Sequence, residues 1–396
     1  MEPQQCGASL NSSDTSTDGD PSPSKNTGVT RRGALLATGA TVFGGVLGFA
    51  GSQLTGNRAA DTEQQQEQQQ STPSKSEPAL VGEDKRAGIT WPASPPRHTV
   101  VTVCALEGRS AAEVFQAAEA AQAAAPPTET DAQPVTVLVG LGIEVAHELF
   151  PDRCAQTAGL PVFASDAETI ARGGDLVVMT SAETASGAAD ASRNALEAVG
   201  AHRVLWSQRG FRDAPSPEGT TRTATGFIDG IVNPRTPEEL RAGVWAGESG
   251  YDTFFAVRKM PISASFTSIP VAEQEAAIGR KKLDGAPLSG GKPLDNVDLL
   301  AKRSDGRTLI PQNAHVRRAH PANIGRPLML RRSYSFDAGS ESGLIFVAML
   351  ADMQTFVSTQ QRMDEADDLL RHTQTVAGDC FFVPQELSAG SSVSTS

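Results

Sequence analysis

Three short segments of the sequence contain side chains that can carry acid–base or metal-binding chemistry. The segment TGFIDGIVNP places Asp229 between glycines, NAHVRRAHP contains His315 and His320, and LMLRRSYSF contains Arg331. A carboxylate can accept and return a proton, and a neutral imidazole can ligate a metal. A guanidinium stays cationic at any useful pH and can stabilise negative charge that develops in a reaction. These segments are the candidates for a functional site.

Each segment also has an ordinary structural interpretation. An Asp flanked by glycines is most often a turn residue, which would explain Asp229 without chemistry. His315 and His320 lie five positions apart, and this does not match the i, i+4 spacing of two zinc ligands on one helix. Arg331 and Arg332 would be solvated side chains if their segment were an edge strand. The pattern of any one segment leaves these alternatives open.

The elements that must position the three segments alternate between strands and helices. Ser110 followed by Glu113 fits a capping box at a helix start. Runs rich in β-branched residues predict strands, and Ala-rich amphipathic runs predict helices. In the first half, strands are predicted at 98–105, 133–140, 176–180 and 201–206, with helices at 110–125 and 186–199. The resulting order, βαββαβ, is that of a ferredoxin-like unit.

The second half of the sequence repeats this succession of elements. Strands are predicted at 253–260, 344–350 and 380–383, with helices at 272–279 and 353–372. The sequence therefore predicts an α+β fold made of duplicated ferredoxin-like units. We expect the two sheets to pack face to face, with a cavity between or beside them.

Composition excludes several classes of function. The chain has 396 residues, with 34 Lys and Arg against 46 Asp and Glu, which gives a net charge of −12. An acidic protein is a poor partner for nucleic acid or for an anionic membrane surface. The four cysteines contain no CxxC pair, so a disulfide scaffold and a Cys-based zinc or iron–sulfur site are not expected.

The N-terminal part of the chain has the composition of a targeting segment. Arg31 and Arg32 precede a weakly apolar, Gly- and Ala-rich run in which the next charge is Arg58. This layout predicts that residues 1–57 are a disordered leader with a twin-arginine export signal, and a single membrane anchor is the alternative. Residues 58–86 are Gln- and Ser-rich and are predicted to be a linker, and residues 386–396 a flexible tail.

Taken in order, the three segments resemble those of the dye-decolorizing peroxidase family. The family's GxxDG motif is present as Gly226, Asp229 and Gly230, its His-x-Arg motif starts at His315, and its Arg-Arg-x-Tyr-Ser motif starts at Arg331. The resemblance covers roughly residues 85–385, and with the export signal it is greatest to the secreted, iron-uptake-associated branch. It implies a dimeric α+β barrel-like fold with a haem pocket, formed by a domain at 87–385 with halves at about 87–225 and 226–385.

The resemblance also implies one haem b per chain, with His315 as the proximal iron ligand. A partner carboxylate would make this imidazole more basic, and the family's pattern places it at Asp367, with Asp368 as a near neighbour. A solvated helix face is the alternative for this acidic cluster. His320 and Pro321 are placed at the haem as well, and His320 is the internal rival to His315 as iron ligand.

On the other side of the haem, the resemblance assigns peroxide activation to Asp229 and Arg331. The carboxylate would shuttle a proton between the two oxygens of H₂O₂, and the guanidinium would stabilise charge as the O–O bond breaks. Gly230, Ile231 and Val232 would line the haem edge. Most relatives have a polar residue at the position of Ile231, so a hydrogen bond to haem is expected to be missing here.

Three further residues have weaker assignments. Arg258 and Arg280 would either meet haem propionates or be ordinary surface charges. Tyr334, three positions after Arg331, would either relay electrons to bulky donors at the surface or be a core residue.

The predicted function is that of an exported haem peroxidase that reduces H₂O₂ to water and oxidises dyes, phenols or other donors by one electron. A deferrochelatase-like protein that handles haem or iron, with incidental peroxidase activity, is the first alternative. A cofactor-free binding module is the second. The twin-arginine translocase is expected as a partner during export, a homodimer or higher oligomer is considered, and no nucleic acid is expected.

Overall fold

The computed structural model describes residues 85–124, 134–247 and 250–387. The predicted export signal and almost all of the predicted linker and tail lie outside these residues. No helix within the described ranges is long and apolar enough to cross a membrane.

The first half of the fold is a βαββαβ unit with a short additional strand. Its long strands lie in the order β5-β1-β4-β2, and every neighbouring pair is antiparallel. This confirms the predicted ferredoxin-like order. The sequence pattern missed α2, α3 and β3, which are short and lack an apolar run. The elements are β1 (His98–Ala105), α1 (Ala111–Ala123), β2 (Val135–Gly142), α2 (Ile143–Leu149), α3 (Pro151–Cys154), β3 (Asp166–Ala171), β4 (Leu176–Ala182), α4 (Ala185–Val199) and β5 (Arg203–Phe211).

The start of α1 is fixed by the predicted capping box. The Ser110 Oγ accepts a hydrogen bond from the backbone N–H of Glu113 at 3.4 Å, and the backbone N–H of Ser110 donates to Glu113 Oε2 at 2.8 Å. Two amides that have no partner inside the helix are thereby satisfied.

The second half repeats the unit around a much longer connection. Its long strands lie in the order β12-β8-β11-β10, again antiparallel. The elements are β6 (Thr221–Arg222), β7 (Ile228–Asp229), α5 (Pro237–Gly243), β8 (Thr253–Pro261), α6 (Ala264–Ser268), α7 (Val271–Ile278), α8 (His315–Arg318), β9 (Leu330–Arg331), β10 (Tyr334–Asp337), β11 (Ser342–Leu350), α9 (Met353–Ala366) and β12 (Thr375–Val383).

Two predictions for this half need correction. Helix α9 ends at Ala366 rather than at residue 372, because Asp367 is extended and a separate 3-10 turn follows it. The segment around Arg331 and Arg332 is not one edge strand but two short strands. Arg332 is buried between them, and its guanidinium donates to the Pro92 carbonyl at 2.8 Å, so it is not solvated.

The two sheets join at their edges and close a barrel. Strand β2 pairs with β12 through Leu141 and Phe382, and β5 pairs with β10 through Phe211 and Ser335. The pairing of β10 with β11 completes a ring of eight strands, to which β9 and β3 are added. The barrel-like α+β fold is therefore confirmed, although the sheets are continuous rather than two separate layers packed face to face.

Alternating side chains of the strands fill two different cores. On β8, Phe255 and Val257 point into the barrel, whereas Phe254 and Ala256 point outward beneath the helices. Because both faces of the sheet are covered, the strand segments consist largely of apolar residues and do not alternate between apolar and polar ones. The outer face of β8 and β11 forms the floor on which the functional site is built.

Candidate functional site

A cavity of about 270 Å³ lies against the outer face of β8 and β11, beside α8 and α9. Its walls are mostly apolar, with a few charged groups that converge on it. Such a combination is typical of cofactor and small-molecule sites. Seven of the predicted site residues line the cavity, namely Asp229, Ile231, Val232, His315, His320, Pro321 and Arg331.

His315, at the start of α8, is paired with a buried carboxylate. Its Nδ1 lies 2.9 Å from Asp367 Oδ2, and the Asp367 side chain is fully buried. The other oxygen of Asp367 accepts backbone N–H groups from Leu369 at 2.8 Å and Leu370 at 3.2 Å. A carboxylate can only accept a hydrogen bond, so Nδ1 carries a proton and Nε2 has the lone pair available to a metal.

The carboxylate also changes the acid–base behaviour of the imidazole. Burial lowers the pKa of His315, but the charge and hydrogen bond of Asp367 outweigh it, so the pKa lies above its ordinary value. The side chain of the neighbouring Asp368 instead forms an ion pair with Arg371 at 3.5 Å. Of the two acidic residues, the structure brings Asp367 to His315.

Asp229 and Arg331 form an ion pair at another wall of the cavity. Asp229 ends β7 in a two-stranded ribbon with β6, and Arg331 ends β9. Arg331 donates from Nη2 to Asp229 Oδ1 at 3.1 Å and from Nη1 to the Val232 carbonyl at 2.8 Å. Burial raises the pKa of Asp229, but Arg331 and the N–H of Gly230 outweigh it, so the pKa lies below its ordinary value. The carboxylate is therefore an ionised base at neutral pH.

Asn233 fixes the backbone of Arg331, a role that the sequence analysis missed. The Asn233 amide donates from Nδ2 to the Arg331 carbonyl at 2.9 Å, and its Oδ1 accepts the Arg331 N–H at 3.1 Å. The side chain thus pairs with the strand as a neighbouring backbone would. The only signal in the sequence was its position three residues after the end of the GxxDG segment.

The residues that follow Asp229 have separate structural roles. Gly230 has a φ of 85°, a left-handed conformation that glycine adopts without strain. It does not line the cavity, and its carbonyl accepts a hydrogen bond from Arg235 Nη2 at 3.2 Å. Ile231 and Val232 do line the cavity and supply apolar wall.

His320 and Pro321 begin the short 3-10 turn after α8. The Nδ1 of His320 accepts the backbone N–H of Ala322 at 3.2 Å and caps this turn. Burial and the charges of Arg280 and Arg317 lower the pKa of His320. Both histidines border the cavity, but only His315 has a carboxylate partner of the kind that orients a metal-ligating imidazole.

The two arginines with weaker assignments differ in how fully they are paired. Arg258 is fully buried, in an ion pair with Asp166 and with Nη2 donating to Thr375 Oγ1 at 2.7 Å. Arg280 is also buried, but its Nη2 has no hydrogen-bond partner among the described residues. Both line the cavity, and neither is an ordinary surface charge.

The residues around the cavity fit the predicted haem. The apolar walls suit a flat macrocycle, and the imidazole backed by a carboxylate suits its iron. The unpaired donor of Arg280 suits an acidic substituent. Tyr334 lies elsewhere, inside the barrel, with its OH 3.3 Å from Ser181 Oγ, so its relay role stays a prediction.

The chain is similar to known proteins both in sequence and in structure. The family model "Dyp-type peroxidase, C-terminal" matches residues 220–388, which include all three motif segments. A dye-decolorizing peroxidase from Thermobifida fusca is 33% identical over 277 residues, 63% of this chain and 64% of that protein. A deferrochelatase from Yersinia pestis is 32% identical over 202 residues, 45% of this chain and 46% of that protein. The chain thus covers less than two thirds of the length of these relatives.

Solved structures match over a larger share of their length. A DyP-type peroxidase from Cellulomonas bogoriensis has a TM-score of 0.66 and 29% identity, covering 79% of this chain and 96% of that one. An oxyferrous complex of DtpA from Streptomyces lividans has a TM-score of 0.69 and 27% identity, covering 77% and 94% respectively. The barrel and the long connection that carries His315 therefore follow a known architecture.

Proposed function

Because this chain belongs to the dye-decolorizing peroxidase family, we propose that it is a haem peroxidase that reduces H₂O₂ to water. The observation that carries the proposal is the arrangement around one cavity. The His315–Asp367 pair and the Asp229–Arg331 pair both border it. The first pair suits an iron ligand, and the second suits the movement of a proton and the stabilisation of charge.

When bound, haem supplies the iron on which peroxide is reduced and from which a donor is then oxidised in one-electron steps. Asp367 holds the proton on His315 Nδ1 and keeps Nε2 directed to the cavity. The ionised Asp229 accepts a proton from one oxygen of H₂O₂ and returns it to the other, which leaves as water. Arg331 fixes the orientation of Asp229 and offsets negative charge while the O–O bond breaks.

The proposal is tested with the purified full chain loaded with haem. We expect a Soret band and turnover of H₂O₂ with a dye or a phenol as one-electron donor. A protein that shows no Soret band after reconstitution would refute both haem-based functions and favour a cofactor-free binding module. A Soret band without turnover would refute the peroxidase and leave the haem-handling function.

A haem- or iron-handling role is the second candidate, and the similarity to deferrochelatases favours it. In that case peroxidase activity would be incidental. A deletion strain that fails to grow on haem as sole iron source would support this role. It would be contradicted if growth were normal while a peroxide-dependent phenotype appeared.

We also propose export by the twin-arginine route, on the basis of Arg31, Arg32 and the weakly apolar run that follows them. Replacing both arginines with lysine should retain the protein in the cytoplasm, as judged by cell fractionation. Retention of an uncleaved chain in the membrane of the wild type would instead favour the N-terminal anchor. A homodimer or higher oligomer is part of the same proposal, and sedimentation of the purified chain tests it.

A further inference from the structure

A cleft of about 720 Å³ lies next to the cavity of the functional site. It is formed by the end of β8, helix α6, the start of β11 and the segment 370–374 that precedes β12. None of the residues assigned to haem or to peroxide lines this cleft. Four residues line both the cleft and the cavity, namely Thr225, Ile262, Leu370 and Thr373. A molecule in the cleft would therefore be separated from the cavity by a single layer of side chains.

The charged side chains that line the cleft are already paired within the protein. The pairs are Glu341 with Lys259, Arg371 with Asp368, and the buried Asp166 with Arg258. Most of the other polar side chains in the cleft are hydroxyls, on Ser165, Ser263, Thr267, Ser340 and Ser342. Burying a charge without a partner is costly, whereas hydroxyls can satisfy a neutral polar group. The lining therefore favours an uncharged ligand with a hydrogen-bonding group.

His372 presents a free ring nitrogen at this cleft. Its Nδ1 lies 2.9 Å from Ser265 Oγ, and its ring packs on the buried Phe266 with the ring centroids 5.4 Å apart. The His372 carbonyl accepts the backbone N–H of Ser263 at 2.7 Å, which holds the residue in place. Its Nε2 has no hydrogen-bond partner among the described residues. Since a hydroxyl can accept a hydrogen bond from Nδ1–H, Nε2 has a lone pair with which to accept a proton.

We propose that this cleft binds the reducing donor as a neutral phenol, whose hydroxyl donates a hydrogen bond to His372 Nε2. This inference rests on the proposed function, because it assumes that H₂O₂ is reduced in the neighbouring cavity. In each oxidation the phenolic O–H bond breaks, the proton passes to Nε2, and the electron crosses the shared wall towards the site of peroxide reduction. Two phenols thus become two phenoxyl radicals for each H₂O₂ that is reduced to two waters.

Binding is tested on the full chain loaded with ferric haem, in the absence of H₂O₂. The paramagnetic iron should accelerate the proton relaxation of guaiacol, a neutral phenol, when guaiacol lies in the neighbouring cleft. Ala264 is exposed and lines the cleft, so Ala264→Trp should fill it and reduce this acceleration several-fold. An acceleration that is the same in Ala264→Trp as in the wild type would overturn the proposal.

The role of His372 is tested by comparing two donors. Guaiacol releases a proton when it is oxidised, whereas ferrocyanide releases none. His372→Phe retains a ring to pack on Phe266 but lacks the nitrogen, so the ratio of guaiacol to ferrocyanide turnover should fall about 100-fold, the low end of the effect of a positioned proton acceptor. An unchanged ratio would overturn the proposal. The control is His202→Phe, since His202 donates from Nδ1 to the Gly200 carbonyl at 2.6 Å and lines neither space, and its ratio should equal that of the wild type.

The outcomes distinguish the donor site from the function on which it rests. A loaded wild type that does not react with H₂O₂ contradicts the proposed function, and the donor site with it. A wild type that reacts with H₂O₂ but does not accelerate the relaxation of guaiacol overturns only the donor site. If His372→Phe does not fold, the comparison of Ala264→Trp with the wild type still decides.

Discussion

The carboxylate of Asp367 is held between an imidazole and two backbone amides. These contacts hold it in place directly behind His315. A charged partner makes the imidazole a stronger donor to a metal than a neutral partner would. Asp368, one residue later, has neither contact and pairs with Arg371 near the surface.

Replacing Asp367 with Asn removes this charge and leaves a side chain of the same shape. We expect kcat/KM for H₂O₂, or haem affinity, to fall about 10–100-fold, the usual effect of losing a partner behind a metal ligand. Steady-state kinetics and haem titration measure the two quantities. Asp368→Asn is the matched control and should be close to wild type, and equal losses in both variants would contradict the assignment.

Arg331 is the cation of the cavity that contacts both Asp229 and the Val232 carbonyl. We expect Arg331→Leu to slow the reaction of the loaded protein with H₂O₂ by more than about tenfold, since one positioned charge-stabilising group is worth at least that much. Stopped-flow absorbance in the Soret region measures the rate. Arg326→Leu, in which a cavity arginine paired with Asp352 is removed, is the control. An unchanged rate in Arg331→Leu would assign the activation of peroxide to Asp229 alone.

The lowered pKa of Asp229 predicts how the rate depends on pH. Burial raises this pKa, but Arg331 and the Gly230 N–H lower it by more than burial raises it. The carboxylate therefore stays ionised when the solution is moderately acidic. The rate with H₂O₂ should therefore hold from neutral pH down to about pH 4, the ordinary value for Asp, and fall only below it. In Arg331→Leu the rate should begin to fall at a higher pH than in the wild type. An unchanged pH dependence would show that Arg331 does not lower the pKa of Asp229.

The Asp229–Arg331 ion pair also makes the stability of the folded protein depend on pH. A carboxyl whose pKa is lowered by folding stabilises the protein above the pKa of the unfolded chain. That contribution is lost as the pH falls through the folded-state value.

At the scale of single elements, β9 is only Leu330–Arg331, and it depends on its neighbours for position. It pairs with β11 on one side, and the Asn233 amide completes the pairing with Arg331. The segment that provides Asp229 thus also places the guanidinium that contacts it.

Asn233→Ala should remove this support. We expect the rate with H₂O₂ to fall by roughly tenfold without loss of haem, because small displacements of a catalytic group are costly. Asn233→Asp retains the acceptor for the Arg331 N–H but loses the donor, so its rate should lie between those of the wild type and the Ala variant. If Asn233→Ala lost haem and activity together, its role would be general stability and not the position of Arg331.

The elements that the sequence predicted are those whose pattern is local. Strand β1 was predicted with its observed bounds, His98–Ala105, because it is a run rich in β-branched residues, which favour strands. Strands β3, β9 and β10 were missed or merged, because long-range pairing, not composition, makes them strands. In the site, the order of the motifs predicted His315, Asp229 and Arg331, and the structure places all three at one cavity. No local sequence pattern predicts the contacts of Asn233 and Arg280, because their partners come together only in the folded chain.

At the scale of the molecule, the two halves complete one another. The edge strands β12 and β10 of the second half are covered by β2 and β5 of the first. An uncovered edge strand exposes backbone groups that otherwise lack partners.

A chain limited to residues 226–385 should therefore aggregate and show no Soret band after reconstitution, although it contains all the residues assigned to haem. Size-exclusion chromatography and the absorption spectrum measure this. Co-expression with residues 87–225 should restore part of the haem binding. A soluble second half that binds haem by itself would show that closure of the barrel is not needed.

The cavity lies beside only one of the two equivalent sheets. In the first half, helices α1 and α4 pack directly on the sheet through small residues such as Ala118, Ala121, Ala191 and Ala195. In the second half, the connection between β8 and β10 is longer, and its helices stand away from the sheet. The outer face of the first sheet is thus covered by alanine-rich helices, whereas the outer face of the second sheet borders a cavity that can hold a ligand. Because the first sheet has the same strand order as the second, replacing α1 and α4 with longer connections offers a route to a second binding site in the same chain.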